Sequence, residues 1–240
     1  MKTEAHVTAT VTVRRTDDRG KAQIGWLDGR HTFSFGEYYD PEHMAFRSLR
    51  VINEDKIAPG MGFGTHPHRD MEILTWVVSG ELQHKDSMGN GRIIKPGELQ
   101  AMTAGTGITH SEFNPSRSEP VHLLQIWIVP SARSLTPGYS EWKPSEGPSG
   151  ALTLLASPTG EQGSVRINQD ASLLLGRLGA GESVQYTTTA DRGLWIQLVS
   201  GELALPGATL KPGDGAAVEH VDDLSIKATQ PSEFLLFDLA

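Results

Sequence analysis

The chain has 240 residues, a formal charge of −8 and no cysteine. That length is enough for one large all-β domain or two small ones, and the missing thiols exclude disulfides, thiolate nucleophiles and zinc–cysteine sites. Its basic residues cluster no further than short pairs such as Arg14-Arg15, which excludes an electrostatic footprint for nucleic acid or anionic lipid.

The first residues, Met1 to Val7, lack the apolar core of a signal peptide, and no run is apolar and long enough to span a bilayer. With the absent cysteines, this predicts a cytoplasmic protein. The aromatic segment His31-Thr32-Phe33-Ser34-Phe35, followed by Tyr38 and Tyr39, suits core packing or the wall of an aromatic pocket. Strand signals then dominate. Ser48–Ile52, Ile73–Val78, His122–Val129 and Glu233–Phe237 are short and rich in β-branched or aromatic residues, with Gly, Pro, Asn and Asp between them. Asp86-Ser87-Met88-Gly89-Asn90-Gly91 predicts a hairpin turn. A Pro-, Ser- and Gly-rich stretch from Pro130 to Gly150 reads as the link between two halves.

Two segments carry the chemistry. Gly64-Thr65-His66-Pro67-His68 and Ala104–Glu112, which ends in His110-Ser111-Glu112, each place two metal-competent side chains two residues apart. On a strand, residues i and i+2 leave the same face. One His-x-His is weak evidence; a second pair following a Gly-rich turn makes a four-donor set. Three neutral imidazoles and one carboxylate suit a first-row divalent metal with positions left open. His84 and His122, within strand-like runs, are expected to be hydrogen-bonded or surface residues, and His31 to make a structural hydrogen bond. Pro67 removes a ladder donor, as on an edge or bulged strand.

The halves repeat each other. Trp76–Leu82 finds a near copy in Gln197–Leu203, Ile94–Glu98 answers to Leu210–Asp214, and Ser48–Val51 to Ser164–Ile167. Carried along, this alignment places Thr187 and Thr189 opposite His66 and His68, and Ile226 and Ala228 opposite His110 and Glu112. The second half keeps the scaffold and loses every ligand, which predicts one metal per chain.

On these residues the sequence resembles the pirin family of the cupin superfamily over essentially its whole length. The resemblance rests on His31–Phe35 with Tyr39-Asp40-Pro41, on Gly64–His68 with Glu72, on Gln83–Asn90, and on Ala104–Asn114. Gly60, His66, His68 and Glu72 fit the first general cupin motif, although Gly80 falls one residue late. Gly107, His110 and Asn114 fit the end of the second, with Gly105 where many cupins have proline. The resemblance implies an all-β bicupin, two β-barrel (jelly-roll) domains packed face to face. We divide the chain into residues 1–133, the metal-binding domain, and 134–240, a cupin domain without metal ligands.

The resemblance also implies one divalent metal per chain, iron first, with nickel, cobalt, copper, manganese or zinc as alternatives. Its ligands would be His66, His68, His110 and Glu112. Relatives of this pattern are similar to quercetin 2,3-dioxygenases, which open the central ring of a flavonol with O2 and release carbon monoxide. Another branch acts as a redox-sensing co-regulator. The expected partners are therefore a flavonol and O2, with no nucleic acid or membrane contact, and a monomer suffices. Glu112 is the expected general base. Glu72 shares the parity of His66 and His68, so an unbroken strand would turn it into the barrel too. Its four-residue separation from His68 favours Glu112 as ligand and leaves Glu72 to hold a ligand histidine or to pack nearby.

Overall fold

A computed structural model of the chain describes residues 9–144 and 151–240. Its strands are, in chain order, β1 (Thr10–Arg14), β2 (Gly20–Ile24), β3 (Leu27–His31), β4 (Leu49–Ile57), β5 (Gly62–His68), β6 (Glu72–Ser79) and β7 (Leu82–Asp86). Next come β8 (Gly91–Ile94), β9 (Leu99–Thr103), β10 (Ile108–Phe113), β11 (Val121–Ile128), β12 (Gly138–Trp142), β13 (Leu152–Ser157) and β14 (Val165–Arg166). The last are β15 (Ala171–Leu178), β16 (Ser183–Thr187), β17 (Gly193–Leu205), β18 (Ala208–Leu210), β19 (Gly215–Glu219) and β20 (Asp223–Leu239). Among the described residues, no helix is long and apolar enough to cross a membrane. The four runs read as strands match β4, β6, β11 and β20, with Ser48 and Val129 one residue outside. The predicted hairpin turn joins β7 to β8, where Asp86 Oδ1 accepts hydrogen bonds from the Met88 and Asn90 amides.

The described residues form two compact units. One, Asp18–Pro148 with Leu154–Ala171, holds a sheet ordered β5-β10-β7-β8 and another ordered β12-β9-β6-β11-β4-β3-β2. Alternation decides what each strand contributes. Thr75, Gln125, Asn53 and His31 are successive cross-strand partners on β6, β11, β4 and β3, and Gln100 on β9 continues the row. This polar row is flanked on the same face by two apolar clusters. Val77, Leu123 and Ile57 belong to one, Ile73 and Met102 to the other. The core is thus apolar at both ends and polar across its middle.

The opposite face of β4 carries a buried ion pair. Arg19 Nη1 donates to Glu54 Oε2 at 2.7 Å, Arg19 Nη2 donates to the Arg30 carbonyl at 3.0 Å, and His122 Nε2 lies 2.9 Å from Glu54 Oε1. Burial would raise the Glu54 pKa, but His122 and Arg19 outweigh it and hold the carboxyl at about 2. A folded-state pKa below the unfolded one stabilises above the unfolded value and is lost as pH falls through the folded one. Glu54→Gln should therefore cost about 2–3 kcal/mol at neutral pH. Urea unfolding should show that deficit shrinking as pH drops from the ordinary glutamate range toward 2.

The other unit comprises residues up to Asp17, a short segment ending at Thr153, and Ser172–Ala240. Its strands run β1-β19-β17-β20-β15, with β16 on β20 and β18 on β17. Leu194, Ile196, Leu198, Ile226, Phe234 and Leu236 form its centre. Membership does not follow one cut in the chain. β1, at the N-terminal end, pairs with β19, whereas Leu154–Ala171 belongs with the preceding unit. The stretch expected as a link contains β12, which pairs with β9 from Gly138↔Thr103 to Trp142↔Leu99. Its Gly, Ser and Pro content masks a five-residue strand. Residues 145–150 of that stretch, and the N-terminal residues 1–8, lie outside the described residues.

The duplication is visible bond by bond. Gly97 N donates to Val77 O and Gly213 N to Leu198 O, both at 2.9 Å. Lys95 N and Lys211 N are each capped by the carboxylate three residues on, Glu98 and Asp214. Gly80 and Gly201 both have positive φ, and a Cβ on either would meet the carbonyl of a proline, Pro120 or Pro231. Only glycine satisfies both constraints, which explains the repeated Val-Ser-Gly-Glu-Leu.

Candidate metal centre and cavity

β5 and β10 bring the two predicted pairs together. They run antiparallel with His66 opposite His110 and His68 opposite Ile108, and a register shift follows between His110 and Glu112. β5 is an edge strand of its sheet, so Pro67 forfeits no ladder bond on its free side. On β10, Ile108, His110 and Glu112 are buried while Thr109 and Ser111 are less so, as alternation requires.

The ring nitrogens of His66, His68 and His110 lie within 4.8 Å of one another. His110 Nε2 is 2.9 Å from His68 Nε2 and 3.1 Å from His66 Nε2. His66 Nδ1 donates to the Gly64 carbonyl at 2.7 Å, which fixes its proton there and leaves the Nε2 lone pair free. His110 Nδ1 is 3.1 Å from Nε2 of His84. Trp127 meets the His68 ring edge to face, with centroids 5.0 Å apart. Burial, and after it the neighbouring His66, His68 and His84, pushes His110 down to about 2. Burial and then His66 push His68 down to about 4. Both rings are therefore neutral at physiological pH, and their Nε2 atoms face each other at 2.9 Å.

Glu112 is buried beside this cluster. Gln125 Nε2 donates to both of its oxygens, at 3.1 and 2.9 Å, and Thr75 Oγ1 lies 3.4 Å from Oε1. Burial raises its pKa against these hydrogen bonds. The structure thus groups three histidines directly and turns the Glu112 carboxylate toward Gln125.

A cavity of about 840 Å³ opens against the site. Trp26, Phe35, Phe63 and Trp127 give it aromatic walls, and His66, His68, Glu112 and Gln125 line it on the metal side. Of the aromatic segment, Phe35 and Tyr38 line the cavity, Phe33 is in the core, and Tyr39 is largely exposed.

Glu72 does not hold a ligand histidine; its hydrogen-bond partners lie elsewhere. The chain breaks between β5 and β6, with Asp70 at positive φ, and the parity count restarts. Glu72 then shares the face of Leu74 and Trp76, opposite Ile73 and Thr75, and accepts hydrogen bonds from Thr103 Oγ1 at 2.9 Å and Asn168 Nδ2 at 3.2 Å. His31 makes the expected structural bond, with Nδ1 2.7 Å from Asn53 Oδ1, and it also lines the cavity. His122 is held by Glu54. The contacts of His84 and Gln125 were not legible in the sequence. Gln125 had one signal, an amide alternating with Leu123 and Trp127 within the apolar run Leu123–Ile128.

The pirin family model matches residues 12–128, and that of the quercetinase C-terminal cupin domain matches residues 154–239. Over 227 residues, 95% of this chain and 97% of the relative, the chain is 47% identical to a protein of Escherichia coli (strain K12) named quercetin 2,3-dioxygenase. The chain belongs to the pirin family. Among solved structures, this pirin-family chain resembles the E. coli bacterial pirin YhhW in complex with nickel(II), with TM-score 0.91 and 45% identity over 96% of this chain and 99% of that one. An oxalate decarboxylase from Lactobacillus farciminis, at 13% identity and TM-score 0.67 over 94% of this chain and 85% of that one, shares the fold alone.

Proposed function

We propose that the chain is a metal-dependent dioxygenase that opens the central ring of a flavonol with O2, releasing carbon monoxide. The observation that carries this reading is the grouping of three histidine nitrogens, with a buried carboxylate beside them, at an aromatic-walled cavity large enough for a flavonol.

The donor set fits a metal. Three imidazole nitrogens gathered within 4.8 Å of one another form a compact neutral donor set, which suits a first-row divalent ion. His66, His68 and His110 would hold it, with Glu112 as the fourth ligand. Iron remains the first expectation, and nickel(II), the ion of the YhhW complex, matches the same donors. Bound there, the ion would lower the pKa of a substrate hydroxyl and supply Lewis acidity.

The chain's residues do the rest. Trp26, Phe35, Phe63 and Trp127 exclude water and present flat faces to a planar aromatic. Glu112 takes the flavonol hydroxyl proton, and burial brings its basicity closer to that of the phenol it must deprotonate. Gln125 aims the carboxylate through its Nε2–H.

Loss of the flavonol absorption band in air, tested with protein loaded with iron, nickel, cobalt, copper or manganese, checks this reading. No metal-dependent loss with any of them retires it. Elemental analysis should find one metal per chain, since Thr187, Thr189, Ile226 and Ala228 offer no imidazole or carboxylate; a count near two contradicts the duplication argument. Glu72→Gln should keep the metal and change turnover less than about threefold, because its partners are Thr103 and Asn168. Metal loss in that variant would return Glu72 to the site.

A further inference from the structure

Asp55 is a buried carboxylate in the cavity wall that the proposed chemistry leaves without a task. It is 5% exposed, it lines the cavity, and its Oδ1 has no hydrogen-bond partner among the described residues. Buried carboxylates are nearly always paired, so a carboxylate in a cavity wall with a sealed, unpartnered oxygen calls for an explanation. The nearby cation does not provide one, since Arg19 is engaged by Glu54 and the Arg30 carbonyl.

The fold packs this oxygen against a glycine. Gly29 stands opposite Asp55 on β3, and a Cβ there would lie 2.7 Å from Asp55 Oδ1. Any side chain at 29 would crowd the carboxylate. Oδ1 is thereby sealed against β3, and the carboxylate meets the cavity through its other oxygen, an acceptor set apart from the histidine cluster.

We propose that Asp55 accepts a hydrogen bond from a second hydroxyl of the bound aromatic substrate, other than the one that meets the histidines, and so makes the cavity selective for polyhydroxylated flavonols. The inference rests on the flavonol reading above and names the feature of the substrate that it selects. It also accounts for the acidity of the group: burial, and after it the charge of Glu112, raises the Asp55 pKa to about 7, as expected of a carboxylate whose donor arrives with the ligand.

Trp26 and Trp127 line the cavity, so quenching of their fluorescence reports binding. The test titrates metal-loaded protein, without O2, with quercetin and with 3-hydroxyflavone, which has only the 3-hydroxyl. At a pH above about 8, where Asp55 is ionised, quercetin should bind at least about tenfold more tightly, the worth of a hydrogen bond to a charged acceptor. Asp55→Asn should weaken quercetin and leave 3-hydroxyflavone within about twofold, closing most of that gap. Gly29→Ala, which keeps the carboxylate but crowds it, should do the same and serves where the Asn variant does not fold. Equal affinities in the wild type, or equal loss for both ligands in the variants, overturns the role of Asp55 alone. Absence of binding by either flavonol overturns this inference together with the flavonol reading.

Discussion

Glu112→Gln should lower flavonol turnover by about 10²–10⁴-fold, the range of a lost general base, and weaken metal retention without unfolding the protein. The two effects come from one carboxylate. Glutamine keeps the shape and one acceptor oxygen, but it cannot take a proton from the substrate hydroxyl. Its amide would also face the Gln125 amide that now donates to both carboxylate oxygens, so one of the two must turn. The fold should tolerate this, because the buried carboxylate is itself disfavoured by desolvation, as its raised pKa shows. Single-turnover kinetics and a melting curve separate the effects. Full activity in Glu112→Gln would assign the base elsewhere.

His66→Ala should abolish metal binding at micromolar metal while leaving the fold intact. Loss of an outer-shell partner already costs about 10–100-fold in metal affinity, and a direct ligand should exceed that. Among the three histidines, His66 makes the cleanest test. It is half-buried, and its one side-chain bond to protein outside the cluster goes to the Gly64 carbonyl. His110, in contrast, is buried against His84, and removing it would leave that ring unpaired. Equilibrium dialysis followed by elemental analysis gives the answer. Retention of stoichiometric metal in His66→Ala would rule out the three-histidine site.

The sequence made the scaffold and the three histidines legible because both depend on short-range pattern. Alternation two residues apart placed His66 with His68 and His110 with Glu112, and the repeated glycine turns revealed the duplication. Three features escaped, each for a physical reason. Parity carries along a strand only while the strand is unbroken, and the positive φ at Asp70 resets it, so Glu72 faces away from Thr75 and Gln125. Composition gave Pro130–Gly150 as a link, although Tyr139 and Glu141 sit on a strand paired with β9. Last, the polar row His31, Asn53, Gln125, Thr75 and Gln100 exists only across strands distant in sequence. No local pattern could show that Gln125 would hold Glu112, or that Asp55 would face the same cavity.

The central claim is that the histidine cluster and Glu112 turn this cavity into a flavonol-cleaving site. Carbon monoxide measured per flavonol consumed, in metal-loaded and metal-stripped protein, tests it most directly. The account predicts equimolar carbon monoxide from the loaded protein and none from the stripped protein. Flavonol loss without carbon monoxide, or carbon monoxide formed equally by the stripped protein, would contradict it.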